Sequence, residues 1–511
     1  MKKIRSLVLH PFLFTLYPLL ALFVHNIEEI TFFDVLRSLL FSLLGIAVVF
    51  WLFKILFKDW QKAGLAASLT SLLFFSYGHV YDALKTGSLA LARHRVLAPI
   101  WLGLLLLGLW WILRNRKDLL SLTGWLNTVG VILLAFPAIG GYLFLDNTLS
   151  TPSLAQGAPP GEQVSGETLP DIYYIILDGY SRDDVLQGFF NYDNTPFLDE
   201  LRQLGFTVAE CSRSNYAQTK LSLASSLNFR YIPSISDEYS NDTTSRAGLG
   251  NAIRHSALRS FLEANGYKTV AFETGYYWTQ MTDADFYLRR EKYSLGVSTF
   301  LGGLNSYEEM LLQTSGGLVL TDSSLLLARL NQSDINFSNR EEHRLRVLYT
   351  LDELGKVPVL PGPKFVFAHV VSPHEPFVFN RNGDMPDDSV NEITAYRDQV
   401  SYVNGRVLTI VRKILNNSQT PPIIVLQGDH GGITTVPEER MLILNAYYLP
   451  EGGDQLLYPS ISPVNTFRII LNKYFRQRYE LLDDISYFSG YNTPFQYQVL
   501  PEIRPGCENT G

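Results

Sequence analysis

Residues 422–432 read PIIVLQGDHGG, an apolar run that ends in an acid, an imidazole and two glycines. Three other segments have the same form: DIYYIILDGY at 171–180, YKTVAFETG at 267–275 and KFVFAHVVSPHEP at 364–376. Short strands that are apolar throughout are typical of a parallel sheet covered on both faces. These four segments therefore predict a buried, parallel sheet with polar groups at its strand ends.

Helical patterns alternate with the strands, which predicts an α/β domain with a mostly parallel central sheet. TPFLDELRQLG at 195–205 and RHSALRSFLEANG at 254–266 both end in glycine, and NEITAYRDQVSYVNGRVLTIVRKILNN at 391–417 is long and amphipathic. LILNAYYL at 442–449 predicts one more strand.

The acids at the strand ends are the first candidates for chemistry. In open α/β sheets ligands bind beyond the carboxyl ends of the strands, so Asp178 and the pair Asp429-His430 are expected to meet there. Carboxylate oxygen combined with imidazole nitrogen suits a divalent metal such as zinc or manganese. The alternative is a polar turn in which an Asp caps the backbone. The two sites together favour the metal.

Thr219 is the candidate nucleophile. It lies in SNYAQTKLSLASSL at 214–227, which reads as a loop that feeds a helix beginning near Thr219. A hydroxyl at that position can be a simple N-cap. A helix N-terminus also favours an anionic substrate, and a metal activates a bound hydroxyl as a nucleophile. Lys220 adjoins it and is a candidate to stabilise the anion.

The first 147 residues have a different composition, with few charges and long apolar runs. A membrane-spanning helix needs about 20 mostly apolar residues. Five segments fit, and they predict five transmembrane helices: about 8–25, 36–57, 63–81, 97–113 and 122–145. The third is the weakest because it carries His79, and the first has a signal peptide as its alternative. Residues 148–169, rich in Pro, Gly and Ser, predict a linker to a domain at 170–511.

Positive charges in the short loops predict the orientation. Lys2, Lys3 and Arg5, then Lys58 and Lys62, then Arg114, Arg116 and Lys117 are expected in the cytoplasm. Lys85, Arg93 and Arg95 break this trend. Five spans with the N-terminus inside place residues 170–511 outside the cytoplasm at the plasma membrane, whereas loss of the third span would reverse that. His79, His94 and Arg95 are interpreted as interfacial residues rather than ligands of a lipid headgroup.

Composition excludes several functions. The net charge of -7 argues against nucleic acid as a partner. The two cysteines, Cys211 and Cys507, form no CxxC motif and so predict no cysteine-based zinc site. A disulfide between them requires an oxidising compartment, and the sequence alone does not decide it.

Taken together, Asp178, Thr219 and Asp429-His430 resemble the alkaline phosphatase/sulfatase superfamily over about residues 170–475. The resemblance implies that these four residues bind one catalytic metal and that His374 is the substrate-side histidine. His369 is the weaker choice because it falls inside a strand. The overall plan of membrane spans followed by an outer domain resembles lipoteichoic acid synthases and phosphoethanolamine transferases.

Two departures from that pattern limit the chemistry. Sulfatases carry a C/S-x-P-x-R motif, but residues 219–223 read TKLSL, so a formylglycine mechanism is not expected. Lipoteichoic acid synthases have Glu where this chain has Asp178. No clear second metal set is present. His255, His343, His369 and Glu273 are candidates only, and each is interpreted as a surface or structural residue.

The resemblance implies a membrane-bound phosphotransferase that uses Mn or Zn. It would move a phospholipid headgroup, of phosphoglycerol or phosphoethanolamine type, from a membrane lipid to an envelope glycan through a phosphothreonine at Thr219. His374 would act as acid or base, and Lys220 would offset negative charge. One alternative is a sulfatase or phosphodiesterase with water as acceptor. Another is a non-catalytic domain that binds envelope glycans. The oligomeric state stays open.

Overall fold

The structure is a computed structural model. It describes residues 7–27, 30, 32–86, 93–115, 119–150, 169–236, 239, 245–290, 305–321, 339–387, 389–502 and 507. Most of the expected linker, and the charged residues Lys2, Lys3, Arg5, Arg116 and Lys117, lie outside the described residues.

The described helices, in chain order, are His10–His25 (α1), Phe32–Phe57 (α2), Trp60–Thr86 (α3), His94–Arg114 (α4), Leu120–Ser150 (α5), Asp183–Gly188 (α6), Thr195–Gln203 (α7), Thr219–Asn228 (α8), Ala247–Arg254 (α9), Ala257–Ala264 (α10), Ser306–Gln313 (α11), Leu318–Thr321 (α12), Asn339–Leu354 (α13), Glu392–Asn417 (α14), Pro437–Arg440 (α15) and Pro463–Tyr474 (α16). The described strands are Ile172–Leu177 (β1), Thr207–Val208 (β2), Lys268–Phe272 (β3), Phe286–Leu288 (β4), Lys364–Val370 (β5), Ile423–Gly428 (β6), Asn445–Tyr448 (β7), Ser486–Phe488 (β8) and Gln498–Leu500 (β9).

The chain forms two compact units. The first comprises Met1–Asn147 and Lys292–Asn339, and the second comprises Thr148–Glu291 and Arg340–Gly511. The sequence pattern gives no indication that residues 292–339 group with the N-terminal helices.

The first unit contains the apolar helices. Within the described residues, α2, α3, α4 and α5 are long and apolar enough to cross a membrane, whereas α1 has 16 residues and is shorter than a full span. The described residues therefore contain four long apolar helices and one short one, and the exact count of five spans stays a prediction. Large apolar side chains on α2 and α4 face outward, as expected for a helix surrounded by lipid.

Residues 305–321 return to these helices and pack on them through specific hydrogen bonds. The Tyr307 hydroxyl donates to the Leu19 carbonyl at 2.8 Å, and Gly316 N–H donates to the Phe74 carbonyl at 2.7 Å. Arg37 forms an ion pair with Glu308, which also caps the start of α11 together with Asn305.

The second unit is built on a main sheet with the strand order β2-β7-β6-β1-β5-β3-β4. The central strands β6, β1, β5 and β3 are parallel, and β7 runs antiparallel to both of its neighbours. The expected α/β domain with a mostly parallel sheet is confirmed. The run at 442–449 is a strand only over Asn445–Tyr448 and points the opposite way.

Both faces of this sheet are covered, as the apolar strands predict. On one face Tyr174 and Phe367 pack with residues of α8, α10 and α16. On the other, Ile175 and Val366 pack with residues of α7, α13 and α14. Every residue of β1, β5 and β6 is buried.

The register brings three strand ends level with one another. Leu177 at the end of β1 lies opposite Val370 of β5 on one side and Gly428 of β6 on the other. The residues that follow these three strands therefore emerge at the same edge of the sheet.

A disulfide joins Cys211 to Cys507, with a Cα–Cα distance of 5.3 Å. The pairing that the sequence left undecided is thus present in the structure. It ties the C-terminal segment to the loop that leads into α8.

Candidate active site

Asp178 and Asp429 stand next to each other at the carboxyl edge of β1 and β6. Both are buried, with exposed fractions of 4% and 1%. Gly179 N–H donates to Asp429 Oδ1 at 3.0 Å, so the turn after β1 orients the acid after β6. Gly179 has a φ of +70°, a conformation that glycine adopts without strain.

One oxygen of each carboxylate has no hydrogen-bond partner within the described part of the chain. These atoms are Asp178 Oδ1 and Asp429 Oδ2. An unpaired buried carboxylate oxygen costs free energy, and such groups normally pair with a charge or coordinate a metal. Burial alone would raise the pKa of Asp178. The nearby histidines His374, His369 and His430 outweigh it and hold that pKa well below its usual range.

His430 and Thr219 complete the cluster. His430 Nδ1–H donates to the Gly431 carbonyl at 2.8 Å, which leaves its Nε2 as the atom that faces the site. That Nε2 lies 3.1 Å from Thr219 Oγ1, 3.7 Å from Asp178 Oδ1 and 3.4 Å from Asp429 Oδ2. Burial, aided by the charge of Arg440, lowers the pKa of His430 to about 4, so the ring is neutral at pH 7.

Thr219 is the first residue of α8, where the sequence pattern predicts the helix start. Gln218 caps the helix in an extended conformation, and the backbone N–H groups of the first turn have no partners within a helix. The Thr219 hydroxyl therefore lies at the positive end of a ten-residue helix, which favours an anionic group beside it.

His374 lies on the loop after β5 and joins the same cluster. Its backbone N–H donates to the Asp178 carbonyl at 2.9 Å, and its ring centroid is 5.8 Å from that of His430. Burial lowers the pKa of His374, but Asp178, the Glu375 carbonyl and Asp429 raise it more, and the net shift is upward.

His369 also belongs to the site, which the sequence reasoning underestimated. Its Nε2 lies 3.1 Å from Asp178 Oδ2, whereas the unpartnered oxygen of the same carboxylate is Oδ1. The position inside β5 gave no indication of this contact, because Asp178 is 191 residues away in the chain.

Lys220 is placed differently from Thr219 beside it. Its side chain is buried, and Nζ lies 5.5 Å from the centroid of the Trp278 ring. The Trp278 ring in turn lies 6.0 Å from the ring of His369.

Arg440 is a cation that no sequence motif indicated. It is the last residue of α15, and its Nη2 lies 3.5 Å from His430 Nε2. Nε donates to the Ala217 carbonyl at 3.1 Å, which fixes the guanidinium beside the loop that precedes Thr219.

The remaining candidates contribute no ligand atom to this cluster, although His343 is near enough to Asp178 and His374 for their charges to shift its pKa. His255 is half exposed and pairs with Asp283 at 3.7 Å, and burial lowers the pKa of His343 on α13 to about 3. Glu273 continues the backbone pairing of β3, since its N–H donates to the Leu288 carbonyl. None of the three is grouped with Asp178 in a potential metal cluster of the described residues.

The donor set fits a divalent cation. The potential ligand atoms of Asp178, His374 and His430 lie within 4.8 Å of one another, and so do those of Asp178, His369 and Asp429. His430 Nε2 lies close to the Thr219 hydroxyl and to the unpartnered oxygens of both carboxylates, although neither group of the described residues contains both Asp429 and His430. Oxygen and nitrogen donors of this kind suit zinc or manganese.

Residues 170–461 match the family model described as sulfatase. The match spans more than half of the chain. The chain belongs to the sulfatase family. The superfamily expected from the strand-end motifs is therefore confirmed, and with it the enzyme class, a transferase or hydrolase of phosphoric or sulfuric esters. No curated protein matches the chain.

Several solved structures resemble this sulfatase-family chain weakly. They include the C-terminal periplasmic domain of EptC from Escherichia coli in complex with Zn (14% identity, 62% of this chain and 87% of that one, TM-score 0.39). A second is the C-terminal periplasmic domain of the phosphoethanolamine transferase EptC from Campylobacter jejuni (11% identity, 62% of this chain and 93% of that one, TM-score 0.38). A third is the integral membrane lipooligosaccharide phosphoethanolamine transferase A from Neisseria meningitidis (13% identity, 92% of this chain and 95% of that one, TM-score 0.36). At these TM-scores, the assignment depends on the family match.

Proposed function

We propose that the protein is a membrane-bound, metal-dependent phosphotransferase that moves a phospholipid headgroup to an envelope glycan through Thr219. The observation that carries this proposal is the convergence of the Thr219 hydroxyl with His430 Nε2, at 3.1 Å, beside two buried carboxylates with unpartnered oxygens. A hydroxyl at a helix N-terminus is ordinarily a cap. One that faces a neutral imidazole and two such acids is suited to nucleophilic attack.

Asp178, Thr219, Asp429 and His430 would hold the metal, which is Zn or Mn. When bound, the cation lowers the pKa of the threonine hydroxyl and neutralises charge on the phosphoryl oxygens. His369 would keep Asp178 oriented by its contact with Oδ2.

In the first half of the reaction, Thr219 Oγ1 attacks the phosphorus of the lipid headgroup. The Oγ1–P bond forms, the P–O bond to the diacylglycerol breaks, and the hydroxyl proton of Thr219 leaves to water. His374 in its imidazolium form protonates the departing oxygen. The position of His374 supports this acid role, because its ring lies 5.8 Å from that of His430 at the edge of the cluster.

In the second half, neutral His374 takes the proton from a hydroxyl of the glycan. The glycan oxygen attacks the phosphorus, the P–Oγ1 bond breaks, and Thr219 Oγ1 takes back a proton from water, which regenerates its hydroxyl and leaves His374 protonated for the next cycle. Arg440 and the N-terminus of α8 place positive charge beside the phosphoryl group throughout. Lys220, next in the chain, is proposed as a further cation for the anionic substrate.

The apolar helices of the first unit support a membrane location, which would keep the enzyme close to a lipid donor and raise its effective concentration. The Cys211–Cys507 disulfide supports a place outside the cytoplasm, because disulfides persist in oxidising compartments. We propose that residues 170–511 act there, at the outer side of the plasma membrane.

Substitution of Thr219 tests the proposal. Full-length protein in detergent, loaded with Zn or Mn, is given phosphatidylethanolamine or phosphatidylglycerol labelled in the headgroup. We expect wild type to acquire the label on Thr219 and Thr219→Ala to lose turnover by about 1,000-fold or more, since a lost nucleophile removes the covalent route.

Thr219→Ser is the matched control, because it keeps the hydroxyl at the same atom. It should keep labelling at a reduced rate. Turnover that survives in Thr219→Ala, or a label on another residue, would reject the assigned nucleophile.

A second candidate is hydrolysis, which the match to the sulfatase family model favours. The same site would then use water in place of the glycan hydroxyl. Sulfate esters and phosphodiesters offered without any glycan discriminate the two, since only a hydrolase releases product at full rate under that condition. Purified protein that retains no metal would instead favour a glycan-binding domain without catalysis.

A further inference from the structure

The long helix α14 presents two polar side chains to the site from one turn. Tyr396 and Gln399 are three residues apart and so lie on the same face of the helix. Both have an exposed fraction of 0%. Neither touches the cluster of metal-ligating atoms directly, and each contacts the backbone of the loops that carry those atoms.

Tyr396 connects the loop after β1 with the loop after β6. Its hydroxyl donates to the Gly179 carbonyl at 2.7 Å and accepts from Ser181 N–H at 3.0 Å. The Ser181 hydroxyl in turn accepts from Gly432 N–H at 2.8 Å. The phenol therefore holds the residues that follow Asp178, and the Ser181 hydroxyl carries the link on to those that follow His430.

Gly432 leaves the space that this arrangement needs. A Cβ atom built on Gly432 would lie 2.5 Å from Tyr396 Cζ, far inside normal contact distance. The second glycine of the GDHGG motif therefore lets the tyrosine ring pack against the loop of Asp429 and His430.

Gln399 holds a different loop, the one after β5. Its Nε2 donates to the carbonyls of Pro373 and His374 at 3.1 and 3.0 Å. Its Oε1 accepts from the N–H groups of Val378 and Phe379 at 2.7 and 3.1 Å. All of these bonds go to the segment that carries His374, and both amide atoms are fully used.

We propose that Tyr396 and Gln399 are positioning residues with separate tasks. Tyr396 sets the affinity for the metal by fixing the loops of Asp178 and Asp429-His430. Gln399 sets the place of His374 for proton transfer. The roles in metal binding and proton transfer rest on the proposed function. The assignment of each side chain to its loop follows from the hydrogen bonds.

The physical reason for the division lies in which backbone each side chain holds. Loss of a supporting group around a metal site weakens metal binding by about 10- to 100-fold. A displacement of about 1 Å in a catalytic group costs about 100-fold in rate without any change in metal binding. Loss of the Tyr396 contacts should therefore weaken metal binding, whereas loss of the Gln399 contacts should slow turnover and leave metal binding unchanged.

The test compares Tyr396→Phe and Gln399→Met in the full-length protein in detergent. Tyr396→Phe keeps the ring and its contact with Phe190, whose ring centroid is 4.2 Å away. Gln399→Met keeps the volume and removes the four hydrogen bonds. The control is Tyr174→Phe, which removes an equally buried hydroxyl bonded to Ser226 and Gln427 on the other face of the sheet.

Two readouts do not depend on turnover: titration of the metal-free protein with Zn, and backbone hydrogen–deuterium exchange followed by mass spectrometry. For Tyr396→Phe we expect a Zn Kd about tenfold weaker and faster exchange at residues 179–182 and 430–433. For Gln399→Met we expect an unchanged Kd, faster exchange confined to residues 373–380, and a kcat lowered by about tenfold or more at unchanged metal occupancy.

The proposal is overturned if both variants weaken Zn binding alike, if exchange rises uniformly, or if the Tyr174→Phe control shows the same changes. Wild-type protein that binds neither Zn nor Mn would instead reject the proposed function. The division between the loops would then be supported or overturned by the exchange pattern alone.

Discussion

The ends of β1, β5 and β6 resemble the end of β3 in sequence, yet only the first three build the site. Each strand is an apolar run followed by a polar residue and a glycine or proline. In the sheet, β5 and β6 flank β1, whereas β3 lies on the far side of β5. Adjacent strands are about 4.8 Å apart, so Glu273 starts roughly two strand spacings from Asp178. Position in the strand order, rather than the motif, decides which acid takes part.

The two regions also differ in what surrounds their acids. Asp178 and Asp429 each keep one buried oxygen without a partner in the described residues, and histidines lower the pKa of Asp178. Glu273 follows a strand whose backbone pairing it continues. The candidate site is therefore distinguished by the histidines and the hydroxyl that lie close to its acids.

The sharpest test of this contrast is Asp178→Asn. It keeps the shape of the side chain and removes the charge that a cation needs. Because even supporting residues around a metal cost 10- to 100-fold in affinity, we expect Zn binding to weaken by more than about 100-fold. Zn titration and metal content after dialysis measure this. Full retention of one bound ion would show that the acids after β1 and β6 do not form the site.

A test through pH uses His430. Its pKa is near 6.5 in the unfolded chain and about 4 in the folded metal-free protein, a difference of about 3 kcal/mol. Between those values the unfolded chain binds more protons, so the free energy of unfolding rises with pH there and falls as pH drops from 6.5 toward 4.

Metal-free wild type should therefore lose more thermal stability between pH 7 and pH 5 than metal-free His430→Gln does. Melting curves of both proteins at the two pH values give the difference. Equal losses would mean that His430 titrates in the folded state as it does in water.

His369 tests whether orientation of Asp178 matters as much as its charge. His369→Gln weakens the contact with Asp178 Oδ2 and leaves the carboxylate in place. We expect a Zn Kd weaker by about 10- to 100-fold, a smaller effect than that of Asp178→Asn. His255→Gln, on the exposed pair with Asp283, is the control and should leave the Kd unchanged. If the two histidine variants behave alike, His369 is only a core residue.

The smallest effect is expected at the end of β3. Glu273→Gln should change both Zn affinity and turnover by less than about twofold, as changes away from the site usually do. The same titration and rate assay measure it beside Asp178→Asn. A loss comparable to that variant would place Glu273 in the site and break the contrast.

Much of the second unit could be predicted from the sequence because its strands are short apolar runs with clear limits. β1, β5 and β6 each coincide with the apolar part of a segment that the sequence marked as a strand, at 171–180, 364–376 and 422–432. The direction of β7 could not be predicted, because an apolar run carries no information about its pairing partner.

The arrangement of the candidate site was predictable only where a motif marked it. Asp178, Thr219, Asp429 and His430 stand at recognisable strand or helix ends, and the structure brings them together. His369 is hidden in a strand, and Arg440 stands in no motif. Both reach the cluster through contacts between distant parts of the chain, which spacing along the sequence does not reveal. The long helix at 391–417 was visible as amphipathic, but not the loops that its polar side chains would hold.

The bond between Cys211 and Cys507 encloses 296 residue steps of the chain, which include most of the second unit but not β1, α6, α7 or β2. A single cut by a protease anywhere inside that ring leaves one covalent molecule, whereas the same cut in reduced protein releases two fragments. Gel electrophoresis of nicked protein with and without a thiol would therefore report which redox environment the domain came from, without any assay of its chemistry.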